Sequence, residues 1–398
     1  MEAISQSQAA HRIPSLDGWR GIAILLVMTQ HAASWASFRH HPWFSMGNLG
    51  VDIFFVLSGF IITSRLLEEY RNTSTIDLRH FYIRRAFRIL PLVIAYLATL
   101  TLLSLFLHLP DFRLSHVLAC LFFFRNYQLV IAPSGFYTLH FWSLSIEEQF
   151  YLAWPMLLLL LGGRRALWLA ISGAAACGAW RFFDCTHPGN WVVALFPGGS
   201  DLWMRQARTD ARFDGLMLGC ALAILLTRPA VRHFITKNFP KELPLLLGLL
   251  LIINEQQTHG WTTLSSYILV CLMLTSTLVV QEGLAYKCLN SSLLVWIGTI
   301  SYSAYVWQQL FLTRPEALSS PIGAFGFFPL NLVCVLLVAT GSYYGIERPC
   351  IKLGKRLCKM PHPLRDSESS APPFRSLNAE GWKAANLELP AVDPETRF

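Results

Sequence analysis

Apolar residues come in long runs of about 18–22 positions, the length a helix needs to cross roughly 30 Å of hydrocarbon. Leu97 to Leu107, Leu152 to Leu161, Leu243 to Ile253, Val270 to Val280 and Leu330 to Thr340 each sit inside such a run. About eleven segments can be placed, centred near residues 27, 59, 98, 123, 151, 174, 219, 249, 271, 302 and 335. Basic residues follow the second segment (Arg71, Arg79, Arg84, Arg85), the fifth (Arg164, Arg165) and the seventh (Arg228, Arg232, Lys237, Lys241). Others follow the ninth (Lys287) and the last (Lys352, Lys355, Arg356, Lys359). Excess Lys and Arg marks cytoplasmic loops. All these clusters fall on one side only if one segment fails to cross, and residues 115–131, short and interrupted by Arg125 and Asn126, are that segment.

The pattern therefore predicts an all-α, polytopic transmembrane bundle with about ten crossings and one re-entrant or tilted segment. Both termini are expected in the cytoplasm, residues 13–350 forming the membrane domain after a short N-terminal stretch, 1–12. The loop from Asp184 to Thr209 should face outward, although its Arg205 and Arg208 run against the charge rule. Residues 351–398 begin as a basic juxtamembrane stretch and, from Pro361, become rich in Pro, Ser and charge without apolar periodicity, as in a disordered tail.

Composition agrees with a bilayer. Hydrophobic residues make up 54% of the 398 positions and charged residues 14%, against about 25% charge in soluble domains. The formal net charge of +8 sits beside the apolar runs, where topology places it, and gives no reason to expect a nucleic-acid partner. Nine cysteines are scattered with no CxxC pair, so neither a disulfide framework nor a metal site is expected. The N-terminus has no cleavable-signal pattern.

Ionisable residues inside spans are costly, about 2.5–3.5 kcal/mol at a helix centre on insertion scales, and usually face a functional interior. In SLDGWRGIAILLVMTQH, Arg20 and His31 are eleven residues apart. They share a helix face and lie about 16 Å apart along the axis. His31 suits proton abstraction near neutral pH; its alternative is a packed interfacial residue, and that of Arg20 a snorkelling anchor. In FYIRRAFRILP, Arg85 and Arg88 stand at i and i+3, two guanidinium forks suited to phosphate oxygens or, more simply, to positive-inside anchoring. His140, Ser143, Glu147 and Tyr151 form one polar stripe on the fifth segment. Glu148 lies off it, three residues after Ser145, the spacing of a capping box. Asp52 and Asp214 fall at outer helix ends, expected to be level with His31 and Glu147. Arginines thus gather at the cytoplasmic end, and His31 with the three acids in the outer half.

Seven stretches then give the chain a resemblance to a known family: SLDGWRGIAILLVMTQH, GNLGVDIFFVLSGFIITS, FYIRRAFRILP, HFWSLSIEEQFYLAWP, RFDGLMLGCALA, IGTISYSAYVWQ and GIERP. In that order they resemble the acyltransferase-3 family of membrane O-acyltransferases, from about residue 13 to residue 350. The resemblance implies a multi-pass protein of the plasma (inner) membrane, acyl-coenzyme A (acetyl by default) as donor substrate, no resident cofactor, and a carbohydrate or lipid-linked glycan as acceptor. It also implies functional roles for Arg20 and His31, for Arg85 and Arg88, and for Glu147, with Asp52, Asp214 and Glu347 on further motif acids. Trp19 departs from the usual Leu, and Gln308 follows Trp307 where many relatives have His. The tail, about forty residues, is too short for the extracytoplasmic hydrolase-like domain of some relatives. Transfer is then expected to finish in the membrane domain or on a partner.

The expected mechanism has Arg20, Arg85 and Arg88 holding the coenzyme A phosphates while His31, oriented by Glu147 or, second, Asp52, deprotonates the acceptor hydroxyl. A transient acyl-His31 is the alternative course. His140, Ser143, Asp214 and Tyr302 are supporting candidates; Ser143, Tyr302 or a backbone amide could serve the oxyanion. Glu347 could belong to the site or simply pair with its neighbour Arg348 at the inner surface, the second being the expectation. The rival class is a secondary transporter or flippase for a polar solute, which would also carry charges near the midplane, though no inverted repeat is evident.

Overall fold

The computed structural model describes residues 13–33, 46–107, 112–131, 134–187, 207–255, 262–312 and 329–358. The predicted tail beyond Pro361, the N-terminal stretch 1–12, Arg205 and most of the expected outward loop lie outside these. Every regular element among the described residues is helical.

The helices are α1 Pro14–Ala33, α2 Gly47–Thr73, α3 Leu78–Leu107, α4 Leu114–Leu121, α5 Arg125–Ile131 and α6 Phe141–Thr186. After these come α7 Phe213–Leu225, α8 Pro229–Asn238, α9 Leu243–Glu255, α10 Thr262–Val279 and α11 Gly283–Leu289. The last are α12 Ser292–Thr299, α13 Ser301–Phe311, α14 Leu330–Ser342 and α15 Arg348–Leu357, with a π-helical turn at Tyr343–Glu347 between the final two. Among the described residues four helical runs are long and apolar enough to cross a membrane: Gly47–Thr73, Leu78–Leu107, Phe136–Thr186 and Leu330–Leu357. Two bent pairs, α7 with α8 (99°) and α10 with α11 (87°), raise the number to six.

That is fewer than the sequence pattern suggests, for identifiable reasons. α1 carries Asp17 and Arg20 at one end and Gln30 and His31 at the other, which lowers its hydropathy. α9 is short, and α12 and α13 break at Ile300. The run Phe141–Thr186 counts once although Gly162, at φ 71° and ψ 166°, interrupts it. Its two arms are each roughly 30–36 Å long at 1.5 Å per residue, each sufficient to cross. The region expected to be re-entrant is two helices of eight and seven residues, neither long enough to span. Phe123 between them has a positive φ of 53°.

Helix contacts rest on small residues. A side chain on Gly59 of α2 would fall on the carbonyl oxygen of Leu216, and one on Gly219 of α7 on that of Val56. The two backbones are therefore in direct contact, the usual way membrane helices associate without a hydrophobic driving force. α1 meets α12 in the same manner through Gly21 and Gly298. Buried Trp154 donates from Nε1 to Thr63 Oγ1 (2.8 Å), tying α6 to α2. Outside, Leu105, Phe106, Leu152, Leu246, Leu249 and Leu337 are exposed, the inverted surface expected of a protein solvated by lipid.

The turn between α2 and α3 is fixed by charge. Asp77 caps α3, accepting from the backbone N–H of His80 (2.9 Å). Partial burial would raise the Asp77 carboxyl, but the His80 hydrogen bonds and the charges of His80 and Arg84 outweigh it and hold the group below its ordinary value.

Gly59→Ala or Gly219→Ala should force α2 and α7 apart and cost at least about 1–3 kcal/mol, the usual penalty of overpacking. Gly341→Ala, with open space around it, should be neutral or slightly stabilising. Thermal unfolding of the three variants in detergent checks this, and equal losses in all would contradict it.

Candidate active site

A cavity lies among α1, α2, α3, α6 and α13, lined by side chains from all five helices. Its lining has two ends. Near Tyr151 of α6 stand Arg20 of α1 and Arg85 and Arg88 of α3; the Arg85 guanidinium carbon is 3.5 Å from the Tyr151 ring centroid. Eight residues back along α6, about 12 Å, the walls become Ser143, Leu144, Phe54 and Tyr305. Between them Glu147 accepts from Ser58 Oγ (3.0 Å) and from Tyr151 Oη (3.1 Å).

The three arginines differ. Arg85 stacks on Tyr151 and faces Glu148 Oε1 at 3.5 Å. Among the described residues Arg20 pairs only with Asp17, at 3.8 Å. Among the described residues Arg88 makes no ion pair or hydrogen bond. Arg20, Arg85 and Glu347 are the charges that act on it. Glu347 is buried, accepts from Ser303 Oγ at 2.8 Å, and faces Arg88 and Arg20. The π-helical turn sets its direction, such turns being frequent at functional sites.

His31 and His140 lie beyond the Ser143 end, outside the lining. His31 Nδ1 is 2.8 Å from the Val27 carbonyl. A carbonyl only accepts, so Nδ1 carries the hydrogen and Nε2 of the neutral ring keeps its lone pair. His140 has the opposite tautomer, its Nε2 donating to Val306 O (3.1 Å) and its buried Nδ1 finding no hydrogen-bond partner among the described residues. The two imidazoles lie within electrostatic reach of each other. Tyr305 joins this level to the cavity: its hydroxyl donates to His140 O (2.7 Å) and accepts from Ser143 Oγ (2.5 Å).

A second charge cluster is separate. Arg212 pairs with Asp52 (3.3 Å) and lies over the Trp142 ring, and Arg181 pairs with Asp214 (2.6 Å) while donating to Ala211 O. All four charged residues are buried. Among the described residues no group of three His, Cys, Asp or Glu side chains could hold a metal ion.

The profile of a family described as an acyltransferase domain, Acyl_transf_3, matches residues 13–345, most of the membrane region. The chain belongs to the acyltransferase-3 family. Its relatives include a Bacillus subtilis (strain 168) protein named "Putative peptidoglycan O-acetyltransferase YrhL", 29% identical over 87% of this chain and 56% of the relative. A "Putative O-acetyltransferase", SACOL0978, of Staphylococcus aureus (strain COL) is 29% identical over 86% of this chain and 58% of its own length. The "Peptidoglycan O-acetyltransferase OatA" of Listeria monocytogenes (serovar 1/2a, strain EGD-e) is 26% identical over 86% and 56%. The chain thus spans little more than half the length of these relatives. No solved structure matches it. Membership gives residues 13–345 an acyltransferase domain of a membrane-protein family and gives no support to a transporter.

Within that family assignment, the structure brings together Arg20, Arg85, Arg88, Glu147, Ser143 and Tyr302 in one cavity. It does not bring Glu147 to His31. The polar stripe of α6 runs eleven residues from His140 to Tyr151, the same spacing as Arg20 to His31. One end therefore meets the histidine and the other the arginines, and Glu147 falls nearer the arginines. Asp52 is turned to Arg212 and Asp214 to Arg181, so neither orients His31; the Val27 carbonyl does. Tyr302 donates to Ile89 O (2.9 Å).

Two further expectations change. α6 starts at Phe141, so Ser145 is inside the helix, bonded to Phe141 O (2.9 Å), and no capping box forms with Glu148. Glu148 instead faces Arg85. Glu347 turns inward to Ser303, while Arg348 lies over Tyr344. Ser58 and Tyr305 escaped the sequence reading. Tyr305 was accessible, since it stands at i+3 from Tyr302 on the same face; Ser58 carries no comparable signal.

Removing one member of a buried ion pair is expected to cost about 3–5 kcal/mol. Arg212→Ala should lower the unfolding temperature in detergent more than the double variant Asp52→Ala/Arg212→Ala, which leaves no orphaned charge. Equal or greater loss in the double variant would contradict the pairing.

Proposed function

We propose that this protein is an integral-membrane O-acyltransferase moving an acyl group, acetyl by default, from acyl-coenzyme A to a hydroxyl of a carbohydrate or lipid-linked glycan. Cell-wall glycan is the first acceptor to test, since two of the relatives above are named for peptidoglycan O-acetylation. The observation that carries the reading is the cavity's polarity: two arginines without strong partners at one end and His31, with a defined lone pair, beyond the other. Charge-assisted bonds from guanidinium forks are the usual hold on phosphate oxygens.

Arg20 and Arg88 take the donor phosphates directly. Arg85, stacked on Tyr151 and opposed by Glu148, adds field and shapes the wall. Glu147 holds Ser58 and Tyr151 in place and balances the arginines. His31 Nε2 accepts the proton of the acceptor hydroxyl as its oxygen attacks the thioester carbonyl carbon. The tetrahedral intermediate collapses by breaking the carbon–sulfur bond, and the proton leaves His31 with the coenzyme A thiolate. Ser143 and Tyr305 are the hydroxyls best placed to stabilise the oxyanion. Asp52 and Asp214, each neutralised by an arginine, support the helix ends. The domain crosses about ten times, with α4 and α5 re-entrant and both termini cytoplasmic, so that the arginine end opens to cytoplasmic donor.

Membranes holding the protein, given acetyl-labelled acetyl-coenzyme A and peptidoglycan fragments, should transfer label to the glycan. His31→Ala should reduce kcat by about 10²–10⁴-fold, the range for a general base. Arg88→Ala should raise KM for the donor at least about tenfold, one charge-assisted bond being worth roughly 1.5–3 kcal/mol. Full activity of His31→Ala in properly inserted protein would remove the base assignment.

A further inference from the structure

We infer that Phe54 and Tyr305 form the constriction that selects the length of the transferred acyl group, a proposal that rests on the acyl-coenzyme A reading above. Arg20, Ile24, Met28 and His31 follow one another on α1 at steps of four, four and three residues, along a single face. Arg20 lines the cavity and His31 does not. Between them Ile24 and Met28 are fully buried, in a cluster against which both Phe54 and Tyr305 pack. A thioester held by its phosphates at Arg20 and Arg88 must pass these two rings to reach His31.

The rings leave no passage as they stand. They meet edge to face, with centroids 6.3 Å apart, ordinary contact for an aromatic pair. They are not held equally. The Tyr305 hydroxyl is bonded to His140 O and Ser143 Oγ, whereas Phe54 has packing alone. Tyr305 is therefore the fixed wall and Phe54 the part that yields. Displacing one phenyl ring opens room for a two-carbon acyl group, and each further methylene must be fitted against Ile24, Met28 and the Tyr305 ring. Discrimination by one methylene in an apolar site is about 10–200-fold.

The test is kcat/KM for acetyl-, propionyl- and butyryl-coenzyme A, read as free thiol released in membranes with peptidoglycan fragments as acceptor. The wild type should lose about tenfold or more per added methylene. Phe54→Ala should raise the butyryl-to-acetyl ratio at least about tenfold with KM for acetyl-coenzyme A little changed, because the phosphate end is untouched. Phe54→Leu, a milder change that secures a folded variant, should shift the ratio in the same direction. Tyr305→Phe keeps the ring but frees the wall, and should raise the ratio by less. Acetyl turnover with an unchanged ratio in both Phe54 variants would overturn the constriction alone. No thiol release from any thioester by the wild type, with acetyl-coenzyme A failing to bind, would overturn the donor reading itself.

Discussion

Lipid offers no hydrogen-bond partner, so each polar side chain within the bundle must find one in protein, water or ligand. That constraint organises the site. α1 and α6 each carry polar residues eleven positions apart, Arg20 with His31 and His140 with Tyr151, and the two helices bring the equivalent ends together. The histidines share one level, and the arginines share the other with Tyr151, Glu147 and Glu347. Ser143 and Tyr305 bridge the two levels. What remains unmatched is at the arginine end. Arg88 has no close partner among the described residues and Arg20 only a distant one. A cationic pair of this kind inside a membrane domain is most easily explained by an anionic ligand.

The rest of the bundle holds that pair in position. Direct backbone contact between α2 and α7 and between α1 and α12 removes slack at the helices carrying Ser58 and Arg20. The Asp52–Arg212 and Arg181–Asp214 pairs lock α2 and α6 to the start of α7. Buried pairs add little net stability but penalise any arrangement that separates them, which suits a scaffold that must keep its cavity open when empty. Motion is left to groups held by packing alone, Phe54 foremost.

Periodicity made the broad architecture and most of the cavity legible. Apolar runs announced a helical membrane domain, and spacing on single helices put Arg20 in line with His31 and Arg85 beside Arg88. Pairing between helices was not legible. Asp52 and Arg212 are far apart in sequence, as are Arg181 and Asp214, and nothing local says which acid meets which base. The capping-box spacing of Ser145 and Glu148 misled because the 3-10 turn at Phe136–Thr138 leads into α6 at Phe141, four residues before Ser145. Equal spacing on α1 and α6 was present in the sequence, but only the antiparallel docking of the two helices gives it meaning.

The most direct measurement is equilibrium binding of coenzyme A, without any acyl group or acceptor, to purified protein in nanodiscs. Wild type should bind in a salt-sensitive manner, Arg20→Ala/Arg88→Ala should lose binding at least about a hundredfold from two charge-assisted contacts, and His31→Ala should bind as wild type. Undiminished binding by the double arginine variant would contradict the account, because Arg20 and Arg88 would then have no part in holding coenzyme A.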